Sequence, residues 1–146
     1  MNGHLPATLA EGRHAYTLRV YYEDTDAGGV VYHADYLAFA ERARTEALRD
    51  AGLPHAAMMS EHGVMFMVRR AELEYLRPAR LDDLLTIRTE TLSDTGATVT
   101  LRQSFSIEGA PVAVARVMLV CVKVTSGTPA RIPKAWRTAL AAAQAA

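Results

Sequence analysis

The densest group of chemically capable side chains lies at positions 21–36, which read YYEDTDAGGVVYHADY. The stretch combines several acids with the glycine pair Gly28 and Gly29 and with His33, just ahead of a segment with helical periodicity. Free N–H groups at the start of a helix can stabilise a carbonyl oxygen as it gains negative charge. Glycines let a ligand approach the backbone, an aspartate such as Asp26 can attack a carbonyl or activate water, and an imidazole can donate a hydrogen bond. This combination could perform acyl transfer.

Each residue of this stretch also has an ordinary structural explanation. Asp24 and Asp26 could hydrogen-bond the backbone of a turn, and the glycine pair could simply allow a sharp reversal. His33 could be a polar residue at a helix start, and Asp35 could be a first-turn acid. Asp24 is expected to support the turn rather than to react. Composition alone leaves the functional and the structural interpretation of the stretch equally open.

A strand and a long helix are expected to position this stretch. Before it, residues 15–22 alternate and predict a strand with one buried face, formed by Tyr16, Leu18, Val20 and Tyr22. After it, alanines at spacings of three and four predict a helix over residues 34–51, ended by Gly52. The small side chains on the inner face of that helix would allow a sheet to wrap closely around it.

Four further strands and a short helix are predicted along the rest of the chain. Apolar or alternating runs place the strands at residues 64–76, 84–92, 98–107 and 112–124, and Pro133 could start the helix. Short turns between consecutive strands imply antiparallel hairpins. A long helix with one apolar stripe on a five-stranded antiparallel sheet is an α+β fold. The last strand is apolar on both faces, which suggests that a second subunit covers one of them.

Two apolar or loop-like segments have less specific interpretations. Residues 60–63, Ser-Glu-His-Gly, are expected to form a loop before the second predicted strand. A soft apolar group favours core packing, with the wall of an acyl pocket as the alternative; its members are Met58, Met59, Met65, Phe66 and Met67.

The composition of the 146-residue chain excludes several classes of function. Lysine and arginine total 16 and so do aspartate and glutamate, without a dense basic block, which argues against nucleic-acid binding. Cys121 is the only cysteine, so no internal disulfide can form, and its presence alone suggests a reducing compartment. The five histidines lack metal-ligand spacing, so no metal is predicted.

The distribution of apolar residues predicts where the protein resides. No run is long enough to span a membrane as a helix, and residues 1–11 lack the features of a secretion signal. A cytoplasmic protein is therefore expected. Residues 1–14 are expected to form a loose leader before a single domain over residues 15–146.

One family resembles this chain in the residues that could do chemistry. The run VYYEDTDAGGVVYHADYL at residues 20–37, followed by ERARTE at residues 41–46, resembles the signature of the hotdog-fold acyl-CoA thioesterases. It is similar in particular to the Tol–Pal-associated, YbgC-like branch of the 4-hydroxybenzoyl-CoA thioesterase family. The order of elements, and RPA at residues 77–79 followed by two aspartates at 82–83, agree with it. The resemblance implies a five-stranded antiparallel sheet wrapped around a long central helix.

The resemblance also implies roles for individual residues. By position, Asp26 matches the catalytic aspartate of the family, acting as nucleophile or general base. His33 and Tyr22 match two further catalytic positions. The positions that match substrate-binding residues are Gly28, Gly29 and Tyr32. Backbone N–H groups near Tyr32 and His33 would form the oxyanion hole. Asp35 departs from the pattern, since many relatives carry asparagine there.

The activity implied by the resemblance is hydrolysis of acyl-CoA thioesters to the free acid and coenzyme A. No separate cofactor is expected, because coenzyme A is part of the substrate, and acyl-carrier protein is a second candidate donor. A homodimer or homotetramer with active sites at the subunit boundary is expected. In this fold the loop at residues 60–63 either lines the acyl pocket of a partner subunit or is a plain loop. Two alternatives stay open: a hydratase or dehydratase of the same fold acting on acyl thioesters, and a non-catalytic module that binds acyl-CoA or acyl-carrier protein.

Overall fold

The computed structural model describes residues 14–145, in which one strand is followed by two helices, four strands and a last helix. The predicted leader lies outside the described residues, except that His14 begins the first strand. The strands are β1 (His14–Arg19), β2 (Val64–Tyr75), β3 (Leu84–Asp94), β4 (Thr98–Ile107) and β5 (Ala110–Lys123). The helices are α1 (Asp35–Asp50), α2 (His55–His62) and α3 (Lys134–Ala142).

The five strands form one antiparallel sheet with the order β1-β3-β4-β5-β2. Short turns join β3, β4 and β5 into successive hairpins, as the turn residues at 93–96 and 108–111 predict. β1 and β2 lie at the two edges, although β2 follows the long helix in the chain. The predicted α+β fold with a five-stranded antiparallel sheet and a long helix is confirmed.

The core lies between α1 and the sheet. The helix buries Tyr36, Phe39, Ala40, Ala43, Ala47 and Leu48, at the three- and four-residue spacing of one helix face. Ala40 and Ala43 are fully buried, as are Leu85 and Ile87 on β3. Alanine leaves room for the sheet to approach the helix backbone closely, because it carries only a methyl group. The small-sided inner face predicted from the sequence is therefore the face that packs on the sheet.

The first strand is shorter than predicted, and Tyr22 is not part of its buried face. β1 ends at Arg19, and Tyr22 begins a single 3₁₀ turn over Tyr22–Asp24 with its side chain 83% exposed. The chain leaves the strand direction because the N–H of Tyr21 donates to the carboxylate of Asp24 at 2.8 Å. The alternation of apolar and polar residues continues to Tyr22, but this local hydrogen bond favours a turn instead of a strand there.

Residues 60–63 do not form the predicted loop. Ser60, Glu61 and His62 lie on α2, and Gly63 ends that helix with a φ of +65°. Met58 is its one buried side chain, whereas Met59 is 41% exposed. A helix of 8 residues with a single buried position has too little periodicity to be recognised from sequence. None of the helices within residues 14–145 has both the length and the apolar character needed to cross a membrane.

Candidate active site

The loop between β1 and α1 closes on itself through backbone hydrogen bonds. Thr25 and Val31 form an antiparallel bridge, and the N–H of Asp26 donates to the carbonyl of Val30 at 2.9 Å. The N–H of Val31 donates to the carbonyl of Ala79 at 2.8 Å, which fastens the loop to the segment before β3. Residues 26–29 therefore form the tip of the loop, and His33 lies at its base beside α1.

The carboxylate of Asp26 lies at this exposed tip. Its Oδ1 accepts a hydrogen bond from the N–H of Gly28 at 2.8 Å, which limits rotation of the side chain. A Cβ atom at Gly28 would lie 3.2 Å from the same oxygen, so a larger residue there would press on the carboxylate. Gly29 has a φ of +78°, a conformation that side chains disfavour. The two glycines thus allow the turn that presents Asp26 to solvent.

The neighbouring Asp24 has a different position. It is half-buried, and its Oδ2 accepts the hydrogen bond from Tyr21 that closes the 3₁₀ turn. Its carbonyl accepts a hydrogen bond from the N–H of Tyr32 at 2.9 Å. Both interactions hold the loop together, which is the role expected for Asp24 from the sequence.

Backbone donors near the start of α1 make no hydrogen bond within the described residues. The N-cap position is Ala34, whose side chain cannot accept a hydrogen bond from the first turn. The N–H of Tyr32 is committed to Asp24, whereas no hydrogen bond among residues 14–145 uses the N–H of His33 or of Ala34. Unused donors at a helix start can bind an oxygen that carries negative charge. The N–H groups of His33 and Ala34 are therefore available to a ligand. The N–H of Tyr32, which was expected to contribute, is not.

Tyr75, which no motif in the sequence marks as a functional residue, fixes the orientation of one of these donors. Its hydroxyl donates to the carbonyl of His33 at 2.9 Å, and its ring packs edge-on against Tyr36 at 5.4 Å. Because a peptide unit is planar, holding the carbonyl of His33 also sets the direction of the N–H of Ala34. Burial raises the pKa of Tyr36 above 10.0, so this packing partner stays neutral at physiological pH. In the sequence, Tyr75 lies two positions after Leu73 on β2. The two side chains therefore share the face of the strand on which Leu73 packs against the core.

The side chains predicted to act in catalysis share this loop but do not bond to one another. Tyr22 and His33 are exposed, and the ring of His33 packs against Tyr32 with 4.5 Å between ring centres. Among the described residues, no hydrogen bond joins the side chains of Asp26, His33 and Tyr22. The loop brings the carboxylate, the two glycines and the free donors to one end of α1, where a ligand could contact them together.

Known proteins resemble this chain along most of its length. The family model of the thioesterase-like superfamily matches residues 20–140. An acyl-CoA thioester hydrolase, YbgC, of Escherichia coli O6:H1 is 49% identical over 118 residues, which cover 80% of this chain and 87% of that protein. An acyl-CoA thioesterase, YbgC, of Haemophilus influenzae is 42% identical over 120 residues, which cover 82% of this chain and 88% of that protein.

A solved structure agrees with these sequence comparisons. The crystal structure described as "Probable Thioesterase" from Bartonella henselae superposes with a TM-score of 0.79 at 38% identity. The match covers 83% of this chain and 99% of that one. The fold and the sequence thus point to the same relatives, and the chain belongs to the thioesterase-like superfamily, as a YbgC-like hotdog protein.

Proposed function

We propose that the protein hydrolyses acyl-CoA thioesters to the free acid and coenzyme A. The similarity to the YbgC proteins, which are named as acyl-CoA thioester hydrolases, is the observation that carries this proposal. The loop supports it with the two groups that thioester hydrolysis needs. These are an accessible carboxylate at Asp26 and unused N–H donors at the start of α1.

The proposed reaction begins with the thioester carbonyl at the start of α1. The N–H groups of His33 and Ala34 stabilise the negative charge that develops on its oxygen. Asp26 either attacks the carbonyl carbon, giving a mixed anhydride that water then hydrolyses, or removes a proton from a water molecule that attacks directly. In both routes the carbon–sulfur bond breaks and coenzyme A leaves as a thiolate that takes up a proton.

The remaining predicted residues assist this reaction. His33 donates a hydrogen bond to the carbonyl or to the attacking water, and the exposed Tyr22 contacts the bound thioester from the adjoining 3₁₀ turn. The two glycines, Gly28 and Gly29, leave space for the substrate because they carry no side chain. The ring of Tyr32 flanks the substrate. A cofactor-free reaction, acyl-carrier protein as donor and a link to the Tol–Pal system stay predictions from the resemblance. A cytoplasmic location stays a prediction from the distribution of apolar residues.

The proposal includes a second copy of the chain at the edge strand β2. Eight of its twelve residues are exposed, although it is one of the longest strands of the sheet. A long edge strand presents unpaired backbone groups that favour pairing with another strand. Two copies can pair their β2 strands in antiparallel fashion about a two-fold axis, which joins the sheets. Tyr75 at the end of β2 would place the loop of the active site close to this boundary.

The first experiment compares the wild type with Asp26→Asn by measuring free-thiol release from a panel of short, long and aromatic acyl-CoAs. The substitution keeps the size of the side chain and removes its negative charge. We expect it to lower kcat by at least about a hundredfold, because a neutral amide neither attacks a carbonyl nor removes a proton from water. The unfolding midpoint is expected to stay close to that of the wild type.

Asp24→Asn is the matched control, since it removes the same charge two positions away. It weakens the hydrogen bond from Tyr21 and is expected to lower stability more than turnover. Wild-type rates in Asp26→Asn would exclude Asp26 as the catalytic residue. A folded wild type that binds acyl-CoA for hours without releasing thiol, and is also inactive on acyl-carrier protein thioesters, would instead indicate a binding module.

A further inference from the structure

A groove runs along α1 from Leu37 towards α2. It consists of two adjoining cavities of about 290 Å³ each, which share Glu41, Arg44 and Val68 in their walls. The first cavity starts at Leu37, in the opening turn of α1. The second continues past Arg44 to Leu48 and His55. We call these two cavities the α1 groove. At about 1.5 Å per residue, Arg44 lies roughly 10 Å along the helix from Leu37.

The walls of the α1 groove are largely apolar, but a charged side chain lies midway along it. Phe66, Leu101, Leu119 and Leu140 line the part beyond Arg44. Arg44 itself is half-buried, and burial lowers the pKa of its guanidinium. The charge of Glu41 in the same groove raises this pKa and so opposes the effect of burial, but only in part. A partly buried guanidinium gains from a further partner of opposite charge.

The partners of Arg44 within the chain are few. Its Nη1 donates to Oε1 of Gln103 at 3.1 Å, and no carboxylate of the described residues lies within ion-pair distance of it. Gln103 is fully buried and is fixed by hydrogen bonds to the carbonyl of Ala40 and the hydroxyl of Thr89. A guanidinium carries five N–H donors, so most of those of Arg44 are available. Gln103 holds the group in place while leaving it open to a ligand.

A second polar group in the same cavity, the hydroxyl of Thr91, has no hydrogen-bond partner among the described residues. Thr91 lines the α1 groove, is 1% exposed, and its hydroxyl makes no hydrogen bond to any described residue. Buried polar groups are almost always hydrogen-bonded, so an unpartnered one calls for an explanation. His55 adds an imidazole that stays neutral at pH 7, since burial and Arg44 lower its pKa. Glu41, the acid in the lining, is exposed to solvent.

We infer that the α1 groove holds the acyl group of the thioester and that Arg44 selects acyl groups ending in a carboxylate, the monothioesters of dicarboxylic acids. The inference rests on the proposed function, because it places the thioester carbonyl at the start of α1. A carboxylate satisfies a guanidinium through paired, charge-assisted hydrogen bonds, which a methyl end cannot make. The hydroxyl of Thr91 and the imidazole of His55 supply further donors in the same cavity.

The test compares substrates that differ only at the far end of the chain. Adipoyl-CoA is paired with hexanoyl-CoA, and suberoyl-CoA with octanoyl-CoA, and kcat/KM is measured for each. We expect the wild type to favour the carboxylate-ended member of at least one pair. Arg44→Met should lower this preference by about ten- to a hundredfold, the usual effect of losing a hydrogen bond to a charged group. Equal preferences in the wild type and Arg44→Met would overturn the inference.

Two further variants separate selection from folding. Arg42→Met is the matched control, because Arg42 lies on the same helix, is exposed, and contacts the ring of Phe39 rather than the groove. It should leave the preference unchanged. Arg44→Lys keeps the charge without the planar fork and should retain part of the preference even if Arg44→Met unfolds. A shift of Arg44→Met to a smaller oligomer with unchanged preference would assign Arg44 to a subunit interface and overturn the inference.

Binding measured without turnover distinguishes this inference from the proposed function. Asp26→Asn should bind suberoyl-CoA more tightly than octanoyl-CoA in calorimetry. If the wild type releases no thiol but the variant shows this difference in affinity, the selection by Arg44 stands and the hydrolysis fails. If all thioesters are hydrolysed without regard to the far end, the hydrolysis stands and the selection fails.

Discussion

At the scale of single residues, two aspartates separated by one position have different surroundings. The carboxylate of Asp24 accepts a backbone hydrogen bond that closes a turn, whereas the carboxylate of Asp26 lies at the exposed tip of a loop. The difference follows from the glycine pair, which lets the chain reverse immediately after Asp26. Local sequence identified both acids, and their hydrogen bonds distinguish them.

Tyr75 is expected to act as a positioning residue, and Tyr75→Phe isolates its hydroxyl. The variant keeps the ring that packs against Tyr36 and removes the hydrogen bond to the carbonyl of His33. The N–H of Ala34 then loses its fixed direction but is still present. We therefore expect kcat to fall by about tenfold, less than the roughly hundred- to thousandfold cost of removing an oxyanion donor altogether. KM and the unfolding midpoint should change little.

Separate measurement of kcat and KM, together with thermal unfolding, tests the role of Tyr75. The hydrogen bond is exposed to solvent, so water can replace it without a large loss of stability. An unchanged kcat would show that the peptide unit between His33 and Ala34 keeps its orientation without Tyr75. A parallel loss of stability and of kcat would mean that the hydroxyl supports the fold and not the donor.

At the scale of elements, the packing of α1 against α2 determines the protonation of His55. Burial lowers the pKa of His55 below 6.5, and Arg44 and Arg49 on α1 lower it further, against the opposing effect of Glu41. The unfolded chain then binds a proton at a higher pH than the folded chain. The contribution of His55 to stability is complete above pH 6.5 and is lost as the pH falls below that value.

We therefore expect His55→Gln to reduce the loss of stability on acidification. Urea unfolding at pH values from about 5 to 8 would measure it, with the difference between variant and wild type removing the contribution of the other histidines. Arg44→Met should also weaken the pH dependence, because it removes one of the charges that lower the pKa of His55. The same slope of stability against pH in the wild type and His55→Gln would contradict this account of the α1–α2 contact.

At the scale of the whole molecule, the sheet has two unlike edges. β1 has 6 residues and is mostly buried, whereas β2 has 12 residues and is mostly exposed. Since pairing through β2 would join two sheets, we expect the protein in solution to have at least twice the 15.9 kDa mass of the chain. Sedimentation equilibrium measures this mass directly. A mass of one chain at micromolar concentration would exclude the proposed dimer.

The family and most of the elements could be predicted from the sequence alone. Alanines at helical spacing predicted α1 and its buried face, alternating runs predicted the strands, and the run at residues 20–37 carried the resemblance. These signals are local, because the periods of a helix and a strand repeat within a few residues. These local signals did not predict the position of Tyr22, because a hydrogen bond from Tyr21 to Asp24 turns the chain there. They also did not predict α2, because a helix of 8 residues with one buried side chain shows too little periodicity.

Tertiary contacts determine which polar groups have a partner inside the chain. Tyr75 reaches His33 across 42 positions of the chain, and Arg44 reaches Gln103 across 59. The N–H of Tyr32 is committed to Asp24 only because the loop folds back on itself. Such contacts depend on how distant segments pack, and no local period encodes them. The position of the Arg44 guanidinium beside Gln103 therefore arises only when the sheet packs against α1.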